Sequence, residues 1–217
     1  MSIPILVVGN KNYSSWSLRP WLLMKVAGIA FQEVRIPLYT PESKQEILRY
    51  SPSGKVPCLV DGAVRVWDSL AIGEYLAEAH RTLWPDAPSA RAVARSISAE
   101  MHSGFPNLRQ HMSMNCRNRH PGKGRAPEVL EEIRRIVSIW GECRERYAGN
   151  GEFLFGHFSI ADAMYAPVAL RFHTYEVELP SACRAYADTM LALPAMQEWL
   201  ADAGREIEVI PAFEMYG

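Results

Sequence analysis

Three short stretches of this 217-residue chain hold residue types that packing alone does not call for. Ser14-Ser15-Trp16-Ser17-Leu18-Arg19 follows an apolar run, Ile5-Leu6-Val7-Val8, and a polar turn from Gly9 to Tyr13. Hydroxyls placed there stand at a helix N-terminus, where free amides and the helix dipole favour negative charge. The plain alternative is one serine acting as a cap. A serine hydrolase is disfavoured, because the chain has no G-x-S-x-G and no sequence support for a His/Asp relay.

The second stretch is Val56-Pro57, directly before Cys58-Leu59-Val60. Proline has no amide to give a ladder and favours edges, first strand positions or turns, so an ordinary strand boundary is one reading. The other is a cis Val56-Pro57 bond, which turns the Val56 amide and carbonyl outward to pair with an extended peptide. The third stretch, Asp68-Ser69, opens a helix. Capping by Ser69 accounts for it without a ligand. A carboxylate beside a hydroxyl and free amides would also receive both ends of an amino-acid head group, its ammonium on Asp68 and its carboxylate at Ser69.

The elements that must position these stretches follow from periodicity. Residues 5–8 read as a buried strand, 16–27 as a helix ended by Gly28, 33–37 as a second strand and 43–50 as a weaker helix. That β-α-β-α order implies parallel pairing of the two strands. Asp61-Gly62 lies between Cys58-Leu59-Val60 and Val64-Arg65-Val66-Trp67. Both turn residues tolerate positive φ, so this is a tight hairpin, and residues 69–80 form the helix after it. The first eighty residues are thus βαβ followed by ββα. Pro85-Asp86-Ala87-Pro88 interrupts helical periodicity, and helices are expected beyond it at 91–114, 127–147, 160–172 and 194–203. The expected domains are 1–82 and 91–217, joined by a linker at 83–90.

Composition narrows the field. With 48% hydrophobic residues the chain can bury a core, and 23 Lys and Arg against 24 Asp and Glu give no global field for nucleic acid or an anionic membrane. No apolar run reaches membrane-spanning length, and no charged n-region marks export. Cys58, Cys116, Cys143 and Cys183 lie far apart with no C-x-x-C, as expected of reduced thiols in a reducing compartment. The histidines form no H-E-x-x-H and no zinc-spaced cluster, so no metal is expected.

In order and separation these stretches resemble the glutathione transferase family, and the resemblance covers nearly the whole chain. The matches are Ser14-Ser15-x-Ser17-x-Arg19, Val56-Pro57, and Asp68-Ser69-Leu70-Ala71-Ile72 followed by Glu74-Tyr75-Leu76. Phe158-Ser159-Ile160-Ala161-Asp162 resembles the family's capping motif for a central helix, with Ser159 as cap and Asp162 reaching back. The doubled serine and arginine are most similar to the zeta class, which includes maleylacetoacetate isomerases. Two departures stand out. Trp16 replaces the cysteine of that class, and the class's substrate-carboxylate arginine, counted from Pro167, falls on Thr174, with Arg171 about one helical turn earlier.

The resemblance implies a thioredoxin-like α/β N-terminal domain (βαβαββα) and an all-α C-terminal domain. It implies glutathione as co-substrate without a metal, and a cytoplasmic homodimer active in detoxification, with no nucleic acid or membrane partner. Glutathione would meet Lys55, Val56, Pro57, Asp68 and Ser69. Its sulfur would lie at Ser14, as in zeta enzymes, or at Ser15, as in related classes. The electrophile would lie against Trp16, Phe105, Leu108, Met112 and Tyr165. A free thiol with a pKa of about 8.5 is only about 3% thiolate at pH 7, so activation is the central task, and a two-unit depression corresponds to about 2.7 kcal/mol. The serine acts as a hydrogen-bond donor, not a nucleophile. Conjugation of a small hydrophobic electrophile ranks first, ahead of glutathione-dependent cis-trans isomerisation or a non-catalytic binding module of the same fold. A thiol oxidoreductase ranks last, since residues 14–17 supply no cysteine.

Overall fold

The computed structural model describes residues 3–216. Strand β1 (Ile5–Val8), helix α1 (Ser15–Val26) and β2 (Gln32–Arg35) form a parallel βαβ unit, followed by α2 (Ser43–Leu48). β3 (Cys58–Asp61) and β4 (Val64–Trp67) form the hairpin around Asp61-Gly62, with Gly62 at φ +57°, and α3 (Ser69–Ala79) closes the unit. The sheet order is β2-β1-β3-β4, with β3 antiparallel to both neighbours. This is the mixed sheet that the βαβ and ββα patterns imply.

Alternation along β1 sends Leu6 and Val8 to one face and Val7 to the other. Val7 packs with Ile36, Ile47 and Cys58 beneath α2. Leu6 and Val8 join α1 and α3 in a cluster that continues into the helical half through Met101, Trp140 and Trp199. One apolar core therefore runs through both halves, and Trp21 of α1 meets Trp199 at 5.1 Å between ring centroids.

The helical half contains α4 (Pro88–Ser103), α5 (Pro106–His111), α6 (Pro127–Tyr147), α7 (Ile160–Thr174), α8 (Ser181–Ala192) and α9 (Pro194–Arg205). Two expectations need correction. The helix expected at 91–114 is two helices, broken where Gly104 is extended, Phe105 is left-handed at φ +60° and Pro106 removes an amide. α4 also starts at Pro88, within the segment expected as linker. The expected list omitted α8, although its buried Cys183, Tyr186, Ala187 and Met190 stand at helical spacing.

α7 is the hub, buried along almost its whole length. A helix so enclosed cannot satisfy its first amides with water, and the capping box does so instead. The Asp162 carboxylate accepts from the Ser159 amide and hydroxyl, each at 2.9 Å, and from the Leu154 amide at 3.1 Å. Burial pushes the Asp162 carboxyl up from its ordinary range, while these donors pull it back. Replacement Asp162→Ala breaks the capping box and strands the buried Ser159 and Leu154 donors, so it should lower unfolding free energy by about 2–4 kcal/mol. Urea unfolding followed by circular dichroism measures this, and an unchanged midpoint would contradict it.

Candidate functional site

The turn between β1 and α1 delivers both serines to the sheet's carboxyl edge. Ser14 is the N-cap of α1 and Ser15 its first residue. The Ser14 hydroxyl donates to Ser17 Oγ at 2.8 Å, and that oxygen also accepts from the Gly9 amide at 3.1 Å. Ser14 thus spends its proton on bracing the turn. The Ser15 hydroxyl has no hydrogen-bond partner among the described residues, and it lines a cavity of about 640 Å³. The two adjacent serines therefore differ in what they can donate.

Opposite them, the Val56-Pro57 bond is cis, and Val56 lines both this cavity and a neighbouring one of about 510 Å³. Among the described residues, neither the Val56 amide nor its carbonyl enters a backbone hydrogen bond, so both can pair with an extended peptide. Lys55, exposed, stands beside both cavities. Asp68 and Ser69 line the smaller one with Pro57. The expected cap at this helix was Ser69, but Asp68 caps α3, with its Oδ1 accepting from the amides of Leu70 (2.9 Å) and Ala71 (3.4 Å). Asp68 does so at φ +78°. The reason is position: Ser69 is the first helical residue, and its hydroxyl accepts from Arg19 Nη1 at 3.5 Å.

Trp16 borders both cavities and divides them. Two guanidinium groups lie against its indole, Arg19 at 4.3 Å and Arg109 at 4.6 Å from the ring centroid, and the His102 ring meets it edge-on at 5.3 Å. His102 Nε2 is 3.1 Å from Asp68 Oδ2. Burial, aided by the charges of Arg19 and Arg109, lowers the His102 pKa against the pull of Asp68. Arg19 is held well below the ordinary arginine value by burial and then by Arg109 and Arg171. Arg171, 4% exposed, is pushed down to about 9, by burial and then by Arg109.

The five side chains along which the resemblance implies an electrophile are not brought together. Of Trp16, Phe105, Leu108, Met112 and Tyr165, only Trp16 borders either of these two cavities; the other four lie in the core. The break at Gly104-Phe105-Pro106 turns α5 so that its apolar side packs inward, and the Tyr165 hydroxyl bonds the Ile97 carbonyl. On the side of the helical half the larger cavity is lined by Arg109, Ser113, Met114 and Arg171, with Tyr39 and Phe213 also bordering it. Phe213 arrives from the C-terminal segment, stacked on Tyr13 at 5.7 Å between centroids. No periodicity announces it; of these lining residues only Arg171 carries a sequence signal, its place about one helical turn before Thr174.

Among the described residues, no group of three or more His, Cys, Asp or Glu side chains is placed to hold a metal ion, and no helix is long and apolar enough to cross a membrane.

Comparison with known proteins agrees with this architecture. Residues 13–79 match the family model for the glutathione S-transferase N-terminal domain, and residues 125–202 match that for the C-terminal domain. A glutathione S-transferase of Arabidopsis thaliana is 42% identical over 157 residues, covering 64% of this chain and 68% of its own. A probable maleylacetoacetate isomerase of Caenorhabditis elegans is 28% identical, covering 88% of this chain and 90% of its own. Among solved structures, a glutathione transferase homologue from Burkholderia with bound glutathione superposes with a TM-score of 0.69 at 22% identity, covering 93% of this chain and 98% of its own. The two halves and their order are those of one family, and the chain belongs to the glutathione S-transferases.

Proposed function

We propose that the protein is a glutathione transferase in which Ser15, at the N-terminus of α1, donates a hydrogen bond to the glutathione sulfur and holds it as thiolate for attack on a small electrophile. The observation that carries this reading is the uncommitted Ser15 hydroxyl in the larger cavity, with the unpaired Val56 main chain bordering both cavities and the Asp68-Ser69 corner lining the smaller. The peptide's cysteinyl main chain pairs with Val56, its γ-glutamyl end meets Asp68 and the α3 N-terminus at Ser69, and Lys55 faces its glycyl carboxylate. Ser14, bonded to Ser17, keeps the turn in shape. The α1 amides and dipole add to the preference for an anion at that point.

The serine contact strengthens when sulfur becomes anionic, whereas affinity rests on the charged ends and the main chain. Ser15→Ala should therefore lower turnover at neutral pH about ten- to a hundredfold, the equivalent of one hydrogen bond to a charged group, and change glutathione affinity less than about threefold. Isothermal calorimetry and initial rates with a panel of electrophiles measure the two effects. No saturable binding at millimolar glutathione would sink the reading. An effect confined to Ser14→Ala would move the donor by one residue.

The family's habit of pairing the first domain against a partner's helical domain, together with the exposed Val64 and Trp67 on β4, supports a cytoplasmic homodimer with detoxification as its role. Sedimentation at micromolar concentration should give twice the 24.4 kDa chain mass; a monomer alone would contradict it.

A further inference from the structure

The smaller cavity is lined by the first domain except at His102, which stands on the last turn of α4 in the helical half. Its Nε2 lies 3.1 Å from Oδ2 of Asp68, the N-cap of α3, so this pair crosses the junction between the two halves. The Asp68 carboxylate has about four acceptor sites to share out. Oδ1 accepts from the amides of Leu70 and Ala71, and capping therefore uses one oxygen. On Oδ2, one lone pair serves His102 and the other is left for a cation in the cavity.

A neutral imidazole has one N–H, and with it on Nε2 the ring donates to Asp68 while Nδ1 carries only a lone pair. A second proton would sit on Nδ1, which is buried and has no partner among the described residues. The charges around the ring also oppose it. Arg19 of α1 and Arg109 of α5 act on it, and Lys55 lines the same cavity, against the single carboxylate of Asp68. Other acids near α4 are engaged: Glu100 pairs with Arg135 of α6, and Glu74 of α3 with Arg95. From α7 the Tyr165 hydroxyl donates to the Ile97 carbonyl. Burial lowers the His102 pKa most, and the two arginines add to it against Asp68, so the ring gains its second proton only below the ordinary value of about 6.5.

We propose that His102 is a positioning residue for glutathione: neutral, it holds the Asp68 carboxylate for the γ-glutamyl ammonium, and protonated, it becomes that ammonium's rival for the same oxygen. The inference rests on the transferase reading, which puts the γ-glutamyl end at Asp68, and adds to it a residue of the second domain. An ammonium beside the ring makes the complex bind a proton more weakly than the free protein does. By linkage, glutathione affinity then falls as pH falls through the His102 range.

Calorimetric titration with S-methylglutathione at pH 7.0 and at pH 5.0 tests this, because the probe keeps both charged ends over that range and has no thiol to titrate. In the unmodified protein its Kd should rise about three- to thirtyfold at the lower pH. His102→Gln, whose amide can donate to Asp68 but takes no second proton, should bind within about threefold of the unmodified protein at pH 7.0 and change by less than about twofold at pH 5.0. His102→Ala leaves Oδ2 unheld and should bind about three- to tenfold more weakly at pH 7.0. A Kd that ignores pH in the unmodified protein would overturn the inference. So would an equal rise in His102→Gln, which would assign the titration to Asp68 itself, or a His102→Ala protein that binds as tightly as the unmodified one at pH 7.0. Circular dichroism at both pH values checks folding, and if His102→Ala does not fold, the profiles of the unmodified protein and His102→Gln decide. No saturable binding at pH 7.0 would fail the transferase reading as well, whereas binding without pH dependence fails this inference alone.

Discussion

The packing of α1 against α7 is the constraint from which the site follows. α1 presents Ser15 at its N-terminus, carries Trp16 and Arg19 on its first turns and buries Trp21 farther along. α7, enclosed on all sides, carries Arg171 near its far end. Because both helices belong to one continuous apolar core, the distance between the Ser15 end of α1 and Arg171 on α7 is set by close packing rather than by a flexible linker. The capping box at Ser159 and Asp162 is the polar counterpart of that packing, since it lets α7 begin inside the protein with its amides satisfied.

The same packing concentrates charge. Burial lowers the proton affinity of Arg19, Arg109 and Arg171, Arg109 adds to that for the other two, and the Trp16 indole lies against Arg19 and Arg109. A cysteine at position 16, as in zeta enzymes, would offer no such aromatic face. The replacement therefore exchanges a thiol for an indole that borders both cavities and carries two guanidinium groups against it. The larger cavity is lined by cations as well as by apolar surface.

Much of this was legible in local pattern. Asp61-Gly62 between two alternating runs specified the hairpin, because φ > 0 is tolerated there, and Ser159-x-x-Asp162 specified the start of α7. Stations that depend on backbone position, such as Val56-Pro57 and Asp68-Ser69, could also be read, since one lacks an amide and the other caps a helix. Features set by tertiary context were not. Phe105, Leu108, Met112 and Tyr165 have the spacing of a pocket wall and that of a core stripe alike, and only the break before Pro106 decides for the core. α8 is built on Cys183 and Ala187, weak hydrophobes whose helical spacing is easily overlooked. The different bonding of Ser14 and Ser15 depends on Ser17 and Gly9 closing a turn, which adjacency in sequence does not encode.

The central claim is that Ser15 and the α1 N-terminus make the bound thiol more acidic than free glutathione. Ultraviolet absorption of the thiolate, followed against pH in the glutathione complex, measures this directly. The account predicts a bound-thiol pKa about two units below the free value of roughly 8.5, with most of the depression lost in Ser15→Ala. A bound thiol that titrates with the free one, or a depression that survives both Ser15→Ala and Ser14→Ala, would contradict it.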